Sequence, residues 1–222
     1  IYLPYKPKRK TRGVKARELG LEPLALVLFR QQRIDPELEA EKFLNDDVTD
    51  SSTALQGARD IIAEWVNEHE RARKSIRSIM RQQGQLTAQV VKDKESEGEK
   101  YTDYFDHSEA LRKIPSHRFL AIKRGEKEGI LRVKMALDAE EVHERLRRFF
   151  LQSDNAAAEH VQQAMTDGYK RLMFPALERE LMQEAKQKAD ETAINVFAEN
   201  LKQLLLAPPL GSRRVLAIDP GF

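Results

Sequence analysis

The sequence contains no cysteine and few aromatic residues, and both absences limit its chemistry. Without cysteine, the chain has no disulfide, no thiolate nucleophile and no cysteine-ligated zinc or iron–sulfur centre. No apolar run reaches the length of a membrane-spanning helix, so no membrane partner is expected. The P-loop, GxGxxG, HExxH and GxSxG motifs are also missing. We therefore expect a cytoplasmic protein that is not an enzyme and has no catalytic residue, metal or cofactor.

The sequence is rich in charged residues. Charged residues make up 33% of the 222 residues, aromatic residues 7% and hydrophobic residues 41%. This composition is typical of long, solvated helices around a globular core. Together with the spacing of apolar residues along the chain, it predicts a mainly α-helical, elongated multi-helix bundle with a long central helix and at most a small β ribbon.

The basic residues near the N-terminus form the strongest functional signal. Seven cations occur there with no acid among them: Lys6, Lys8, Arg9, Lys10, Arg12, Lys15 and Arg17. We call these residues the basic arm. The chain outside the arm has the other 31 of the 38 basic residues and all 36 acidic residues. The excess of positive charge is therefore concentrated at this end. Such a cluster favours the phosphates of RNA or DNA, with Tyr2 and Tyr5 available to stack on bases. The alternative is a solvated surface, or a segment that packs on acidic residues elsewhere.

A second basic patch is weaker. It comprises Arg112, Lys113, Arg118, Lys123 and Arg124, with His117 among them. Because Glu126 and Glu128 follow closely, an ordinary solvated surface is the favoured interpretation.

Four regions are predicted along the chain. Residues 1–50 form the arm and a bundle of short helices, which begin at Thr11, near Pro23 and at Pro36 and resemble helix-turn-helix elements. In the third helix, Leu38, Phe43 and Leu44 are expected to point inward.

Residues 51–150 continue with one long helix from about residue 50 to 83. A small β ribbon follows, pairing residues 86–91 with 130–137. The same region has a helix capped by Ser116, a charged turn between Gly125 and Gly129, and a helix that starts at Asp138.

Residues 151–211 are expected to form long bridging helices, interrupted at Pro175 because proline lacks a backbone N–H group. The part after this proline is apolar at both ends and polar in the middle, which is typical of a helix that connects two bodies. Residues 212–222 are predicted to start another domain. Val215–Ile218 is an apolar strand ending at Asp219, and a lone strand lacks ladder partners. We therefore expect the chain to be a fragment.

Three other groups suggest chemistry only weakly. Asp103, Asp106 and His107 lack a fourth metal ligand, so capping and turn roles are favoured. His117 has no nucleophile nearby in sequence, and a structural role is favoured. An acid at the tip of a first strand, as at Asp219, is where magnesium-dependent nucleases of the RNase H type place a ligand, but that chemistry needs further carboxylates.

Several long strings resemble the Tex family of bacterial transcription accessory proteins. They are YLPYKPKRKTR, GLEPLA, DYFDHSEALRKIPSHR, RGEKEG, ALERELMQEAKQKADETAINVFAENLKQLLLAPPLG and VLAIDPGF. They occur in order over essentially the whole chain.

The resemblance implies nucleic-acid binding and a role in transcription. It also implies an N-terminal helical region with helix-turn-helix elements, followed by the first strand of a truncated YqgF domain of RNase H-like fold. Three hypotheses follow: nucleic-acid binding through the arm in a scaffold for downstream binding modules, a protein-interaction scaffold that docks on RNA polymerase, and a magnesium-dependent nuclease. We favour the first of these.

Overall fold

The computed structural model describes residues 10–208, 211–212 and 214–219, which form a mainly helical protein with a small antiparallel sheet. The predicted fold class is confirmed. The described helices are α1 (Arg12–Glu18), α2 (Glu22–Phe29), α3 (Pro36–Glu41), α4 (Ser51–Glu68), α5 (Glu70–Gln83), α6 (Ser116–Lys127), α7 (Ala139–Phe150), α8 (Ala156–Asp167) and α9 (Phe174–Leu205). The strands are β1 (Gln85–Val90), β2 (Asp106–Ala110) and β3 (Leu131–Ala136), with a 3-10 helix at Glu99–Tyr104 and a π-helical turn at Gly168–Met173.

Helix α4 is the centre of the larger of two hydrophobic cores. It packs against α1, α2, α3, α8 and the π-helical turn. Its apolar stripe, which includes Ala58, Ile61, Ile62 and Val66, is fully buried. Burial of this stripe against several helices holds the helical body together.

Side-chain caps fix the helix starts that the sequence predicts. Thr11 Oγ1 accepts a hydrogen bond from Val14 N at 3.1 Å, and Asp50 Oδ1 accepts one from Thr53 N at 2.8 Å. Asp35, Asp138 and Asn155 cap α3, α7 and α8 in the same way. These caps satisfy backbone N–H groups that have no partner inside the helix.

The predicted long helix from residue 50 to 83 is wrong, because it breaks at His69. His69 has extended backbone angles and accepts from Ala72 N through Nδ1 at 3.1 Å, so it ends α4 and caps α5. Two boundaries in α6 also differ. Pro115, not Ser116, is its N-cap, and Gly125 lies buried inside the helix.

The predicted inward positions of Leu38 and Leu44 are also wrong, since they are 58% and 41% exposed. The buried residues of α3 are Pro36 and Ala40, four apart, which places Leu38 on the solvent side. Leu44 lies beyond the end of α3. Phe43 does pack against the core.

The sheet has three strands in the order β2-β1-β3, both pairs antiparallel. The predicted pairing of β1 with β3 is confirmed, whereas β2 was not predicted. The buried face of β1, Leu86 and Ala88, joins Phe119 and Ile122 of α6 in the second core.

The chain from α8 to α9 is helical throughout, with the π-helical turn between them. The predicted interruption is present, but it precedes Pro175, which lies in the first turn of α9. Pro175 cannot donate the backbone hydrogen bond of a regular helix. The wider π-helical turn that precedes it accommodates this missing bond.

The far half of α9 extends away from the core. Its buried residues end at Ala189, and each of residues 191–206 is exposed. The predicted apolar end is there, with Val196 at 56% and Phe197 at 67% exposed. Residues 214–219 are also exposed and form no strand, so the strand predicted at Val215–Ile218 is absent.

Candidate nucleic-acid interface

Four residues of the basic arm lie within the described part of the chain, and Lys6, Lys8 and Arg9 lie outside it. The four are Lys10, Arg12, Lys15 and Arg17. All belong to α1 or to the residues just before it, so the position of α1 decides which of them can reach a ligand.

Helix α1 is held close to α4 at two glycines. A Cβ atom on Gly13 would come within 2.4 Å of Glu64 Oε2, and one on Gly57 of α4 within 3.3 Å of Ala16 Cβ. The small residues let the two helices approach closely. The cations of α1 are therefore displayed from a packed helix.

Arg17 is committed to ion pairs inside the protein. Its Nη1 donates to Glu64 Oε2 at 2.7 Å, and its Nε donates to Glu22 Oε1 at 3.3 Å. Burial works against the charged form, but the hydrogen bonds and charges of the two glutamates raise the pKa of Arg17 overall. Arg17 therefore joins α1 to α4 and is poorly placed for phosphate.

Lys10 and Lys15 remain accessible. Lys10 Nζ lies 2.9 Å from Glu18 Oε1, but both side chains are more than half exposed, and such surface pairs are weak. Lys15 is exposed and takes part in no ion pair among the described residues.

A shallow groove between α1 and α4 brings Arg12 and Lys15 together with polar side chains. It has a volume of about 460 Å³, and Ser52, Thr53 and Gln56 of α4 line its other side. These are hydrogen-bond donors and acceptors beside two cations, which suits an anionic ligand.

The groove also contains one acid, Asp60, which is 8% exposed. Burial raises the pKa of Asp60, while the charges of Arg171 and then Arg12 act in the opposite direction. Arg171 Nη2 donates to Asp60 Oδ1 at 3.2 Å. Because Arg171 already pairs with Asp60, Arg12 keeps its capacity to bind phosphate.

The α4 side of this groove was not predicted from the sequence. Residues 52, 56 and 60 are spaced by four, which places them on one helical face. With Asp50 identified as the N-cap of α4, the spacing of these three residues could have shown from the sequence that they share a face. The contact of this face with α1 depends on packing and was not available from spacing.

Behind the groove, Gln56 is held by Arg59, which also contacts His160 on α8. Arg59 Nη2 donates to Gln56 Oε1 at 2.8 Å, and Arg59 Nη1 lies 2.9 Å from His160 Nδ1. Burial and then the Arg59 charge lower the pKa of His160, although Glu37 and Glu159 oppose this. The neutral imidazole therefore accepts from the guanidinium.

This pair predicts a loss of stability in mild acid. A histidine with a lowered pKa in the folded state stabilises the protein above its unfolded pKa of about 6.5, and this contribution is lost as the pH falls through the folded pKa. Thermal unfolding of the wild type should therefore shift downward more than that of His160→Gln between about pH 7.5 and about pH 5.5. Equal shifts in the two proteins would contradict the prediction.

The second basic patch is divided by its ion pairs. Arg118 Nη1 donates to Glu109 Oε2 at 2.7 Å, and Lys123 pairs with Glu126. The Arg118 hydrogen bond lowers the pKa of Glu109. Arg124 acts on Glu128 and Tyr101 through its charge.

Arg112 and Lys113 are exposed and form no ion pair in the described part of the chain. The patch is therefore not one continuous cationic surface.

The weaker candidates do not form a reaction centre among the described residues. Asp103 lies in the 3-10 helix, whereas Asp106 and His107 lie in β2. Asp106 and His107 are therefore part of a strand and not of the turn that the sequence favoured. No group of three or more potential metal ligands occurs in the described residues. His117 and Asp219 are both exposed, far apart in sequence and on different segments.

Comparison with protein families and curated proteins gives a consistent result. The family model described as Tex central region-like matches residues 31–197. Over its whole length, the chain is 39% identical to the transcriptional accessory protein Tex of Neisseria gonorrhoeae and 40% identical to protein YhgF of Escherichia coli. It is 29% identical to the human S1 RNA-binding domain-containing protein 1, again over the whole chain.

The chain spans about 30% of the length of the two bacterial relatives and about 24% of the human one. No helix in the described ranges is long and apolar enough to cross a membrane.

Proposed function

Because the chain belongs to the Tex family, we propose that it is the part of a transcription accessory factor that contributes phosphate contacts to RNA or DNA through its basic arm. The relative from Neisseria gonorrhoeae is named a transcriptional accessory protein, and a more distant relative is named for an S1 RNA-binding domain. The observation that carries the proposal is the exposure of Lys15 and Arg12 beside the polar side of α4.

The geometry suits a backbone ligand and gives no basis for sequence reading. Lysine and arginine contacts to phosphate supply affinity that is independent of sequence and falls with salt. Hydroxyl and amide groups in the groove would fix the position of a phosphate without reading a base. In this proposal the fragment has no enzymatic activity and positions downstream binding modules.

Removal of the arm cations is expected to abolish most of the binding to single-stranded RNA. With Arg17 committed to glutamates, six cations remain, and full engagement would give a slope of log K against log salt of about −4. The variant with Lys8, Arg9, Lys10 and Arg12 changed to Ala should retain a slope of about −1 to −2. Fluorescence anisotropy with a labelled oligonucleotide in a salt series measures this.

The matched control removes four exposed cations that form no ion pair among the described residues: Arg30, Lys74, Arg145 and Lys202. It has the same net charge as the arm variant. Equal weakening of both variants, or no binding by the wild type at low salt, would contradict the proposal.

Docking on RNA polymerase is the second candidate function. The observation that favours a protein-interaction role is the exposed apolar end of α9, where Leu204, Leu205 and Leu206 are each more than 70% exposed. Apolar surface of this kind marks interaction sites. Binding of polymerase by the arm variant, with RNA binding lost, would favour this candidate over the first.

A further inference from the structure

A groove runs between α6 and α9, on a different part of the molecule from the basic arm. It contains two hollows that share Ser116. The first has a volume of about 330 Å³ and lies against residues 181–189 of α9, and the second, of about 640 Å³, lies against residues 192–200. The two hollows therefore follow one face of a single helix.

The floor of the groove is apolar and mostly aliphatic. In the first hollow it is made by Leu111, Ile114, Leu181, Ala185 and Ala189. In the second it is made by Leu120, Ala121, Ala193 and Val196, beside the exposed ring of Phe197. The one aromatic ring of the first hollow, Phe119, is 1% exposed. It has no free face on which a base could stack, so Phe197 is the only exposed phenylalanine ring among the residues that line the two hollows. Grooves for single-stranded nucleic acid instead stack successive bases on aromatic side chains.

The rim of the first hollow is positively charged. Arg81 donates to both carboxylate oxygens of Glu184, at 3.0 and 2.7 Å, so these two charges offset each other. Arg112 and Lys188 also line the hollow, and neither forms an ion pair in the described ranges. The net charge offered to a ligand is therefore positive.

We propose that this groove binds an acidic, amphipathic helix of a partner protein, whose large apolar side chains enter the two hollows while its carboxylates face Arg112 and Lys188. An amphipathic helix in an apolar groove is an established form of peptide recognition, with anchors at positions i, i+3, i+4 and i+7. One further helical turn extends the same face to i+11. The middles of the two hollows are about 11 residues apart along α9, or about 16 Å. Side chains 11 residues apart on the bound helix would be separated by the same distance.

The charge of the rim selects an acidic partner, and the two apolar hollows accommodate large apolar side chains. The proposal is independent of the basic arm, since it uses none of those residues.

The test uses the whole 222-residue chain and a labelled 18-residue helical peptide rich in glutamate, with leucines at i, i+4, i+7 and i+11. We expect saturable binding with a Kd below about 100 µM. A peptide of the same composition with the leucines scattered around the helix should bind at least about tenfold more weakly.

Two independent variants locate the site. Ala185→Phe fills the first hollow, and Arg112→Glu with Lys188→Glu reverses its rim. Each is expected to weaken binding at least about tenfold. The matched control, Lys113→Glu with Lys202→Glu, makes the same charge change outside both hollows and should change Kd less than about threefold. Circular dichroism confirms that each variant is folded.

Several results would overturn the proposal. They are no saturable binding up to about 1 mM, equal affinity for the scattered peptide, and competition for the groove by single-stranded RNA that the rim variant abolishes. Self-association in sedimentation that Ala185→Phe removes would show that a second copy of the chain occupies the groove, and would overturn it as well.

Discussion

Gly168→Ala is expected to destabilise the protein by about 3 kcal/mol, although alanine is the better helix former. A Cβ atom on Gly168 would lie 2.7 Å from Ala63 O and 3.1 Å from Ala63 Cα. Both are backbone atoms of α4, which is buried among its neighbours and cannot move as a flexible side chain would. The π-helical turn would have to separate from α4, and the contacts of Tyr169 and Met173 with the core would be lost.

Thermal unfolding measures this effect, and the midpoint should fall by about 6–12 °C for a protein of this size. Gly13→Ala is the matched control, because the three atoms nearest to its new methyl group all belong to the carboxylate end of Glu64. That side chain is flexible, so we expect a change within about 1 kcal/mol. An unchanged or raised midpoint for Gly168→Ala would show that α4 and the π-helical turn are less closely packed than described.

Arg171→Met should cost about 2–4 kcal/mol at neutral pH, because it leaves the buried Asp60 carboxylate without its partner. Arg171 Nη2 lies 3.2 Å from Asp60 Oδ1 and 2.6 Å from Asp167 Oδ2. The side chain of Asp60 is 12% exposed, whereas that of Arg171 is 27% exposed, so the cost stays below that of a fully buried pair. The methionine keeps much of the apolar stem that packs in this region.

The pH dependence separates an electrostatic cause from a packing defect. Burial already raises the pKa of Asp60, and loss of the Arg171 charge raises it further. A carboxyl group with a raised folded pKa is favoured in its protonated form, so its penalty grows as the pH rises through that pKa and shrinks in acid. The difference between wild type and Arg171→Met should therefore be smaller near pH 4 than near pH 8.

A second substitution completes the test. Asp60→Asn in the Arg171→Met background should recover at least half of the lost stability at neutral pH, since it removes the unpaired charge. Denaturant titrations of the two single variants and the double variant give the coupling energy. Additive effects and a pH-independent loss would show that Arg171 contributes by packing alone.

Most helix starts and the fold class could be predicted because both depend largely on local chemistry. Capping by Thr11, Asp50 and Asn155 needs only the following turn of the chain. The heptad-like spacing of apolar residues in α4 similarly gives its buried face without any tertiary information.

The features that the sequence interpretation missed depend on distant partners. Gln31 is buried and has a positive φ of 51°. Its side chain donates to Phe150 O at 2.6 Å and accepts from Gln152 N at 2.9 Å. Nothing near Gln31 in sequence indicates that its side chain forms hydrogen bonds with a loop about 120 residues later. Strand β2, with the sequence DHSEA, is strand-forming only because β1 offers it a hydrogen-bonding edge.

The same reason explains the incomplete prediction of the candidate interface. The concentration of cations was evident in the sequence, but their partners were not. Glu64, which takes Arg17 out of the candidate site, is 47 residues away. The proline after the π-helical turn was recognised, whereas the close approach of Gly168 to Ala63 is a property of packing.

The uninterrupted α9 has a consequence for whatever binds along it. Each residue of an α-helix advances the chain by 1.5 Å and turns it by about 100°. One extra residue between Ala189 and Val196 would therefore rotate the rest of α9 by about 100° around the helix axis, while lengthening the helix by only about 1.5 Å. Four extra residues would lengthen the rod by about 6 Å and rotate it by only about 40°. Helix α9 thus fixes an angle more strictly than a distance, and its tolerance of insertions should follow the helical repeat.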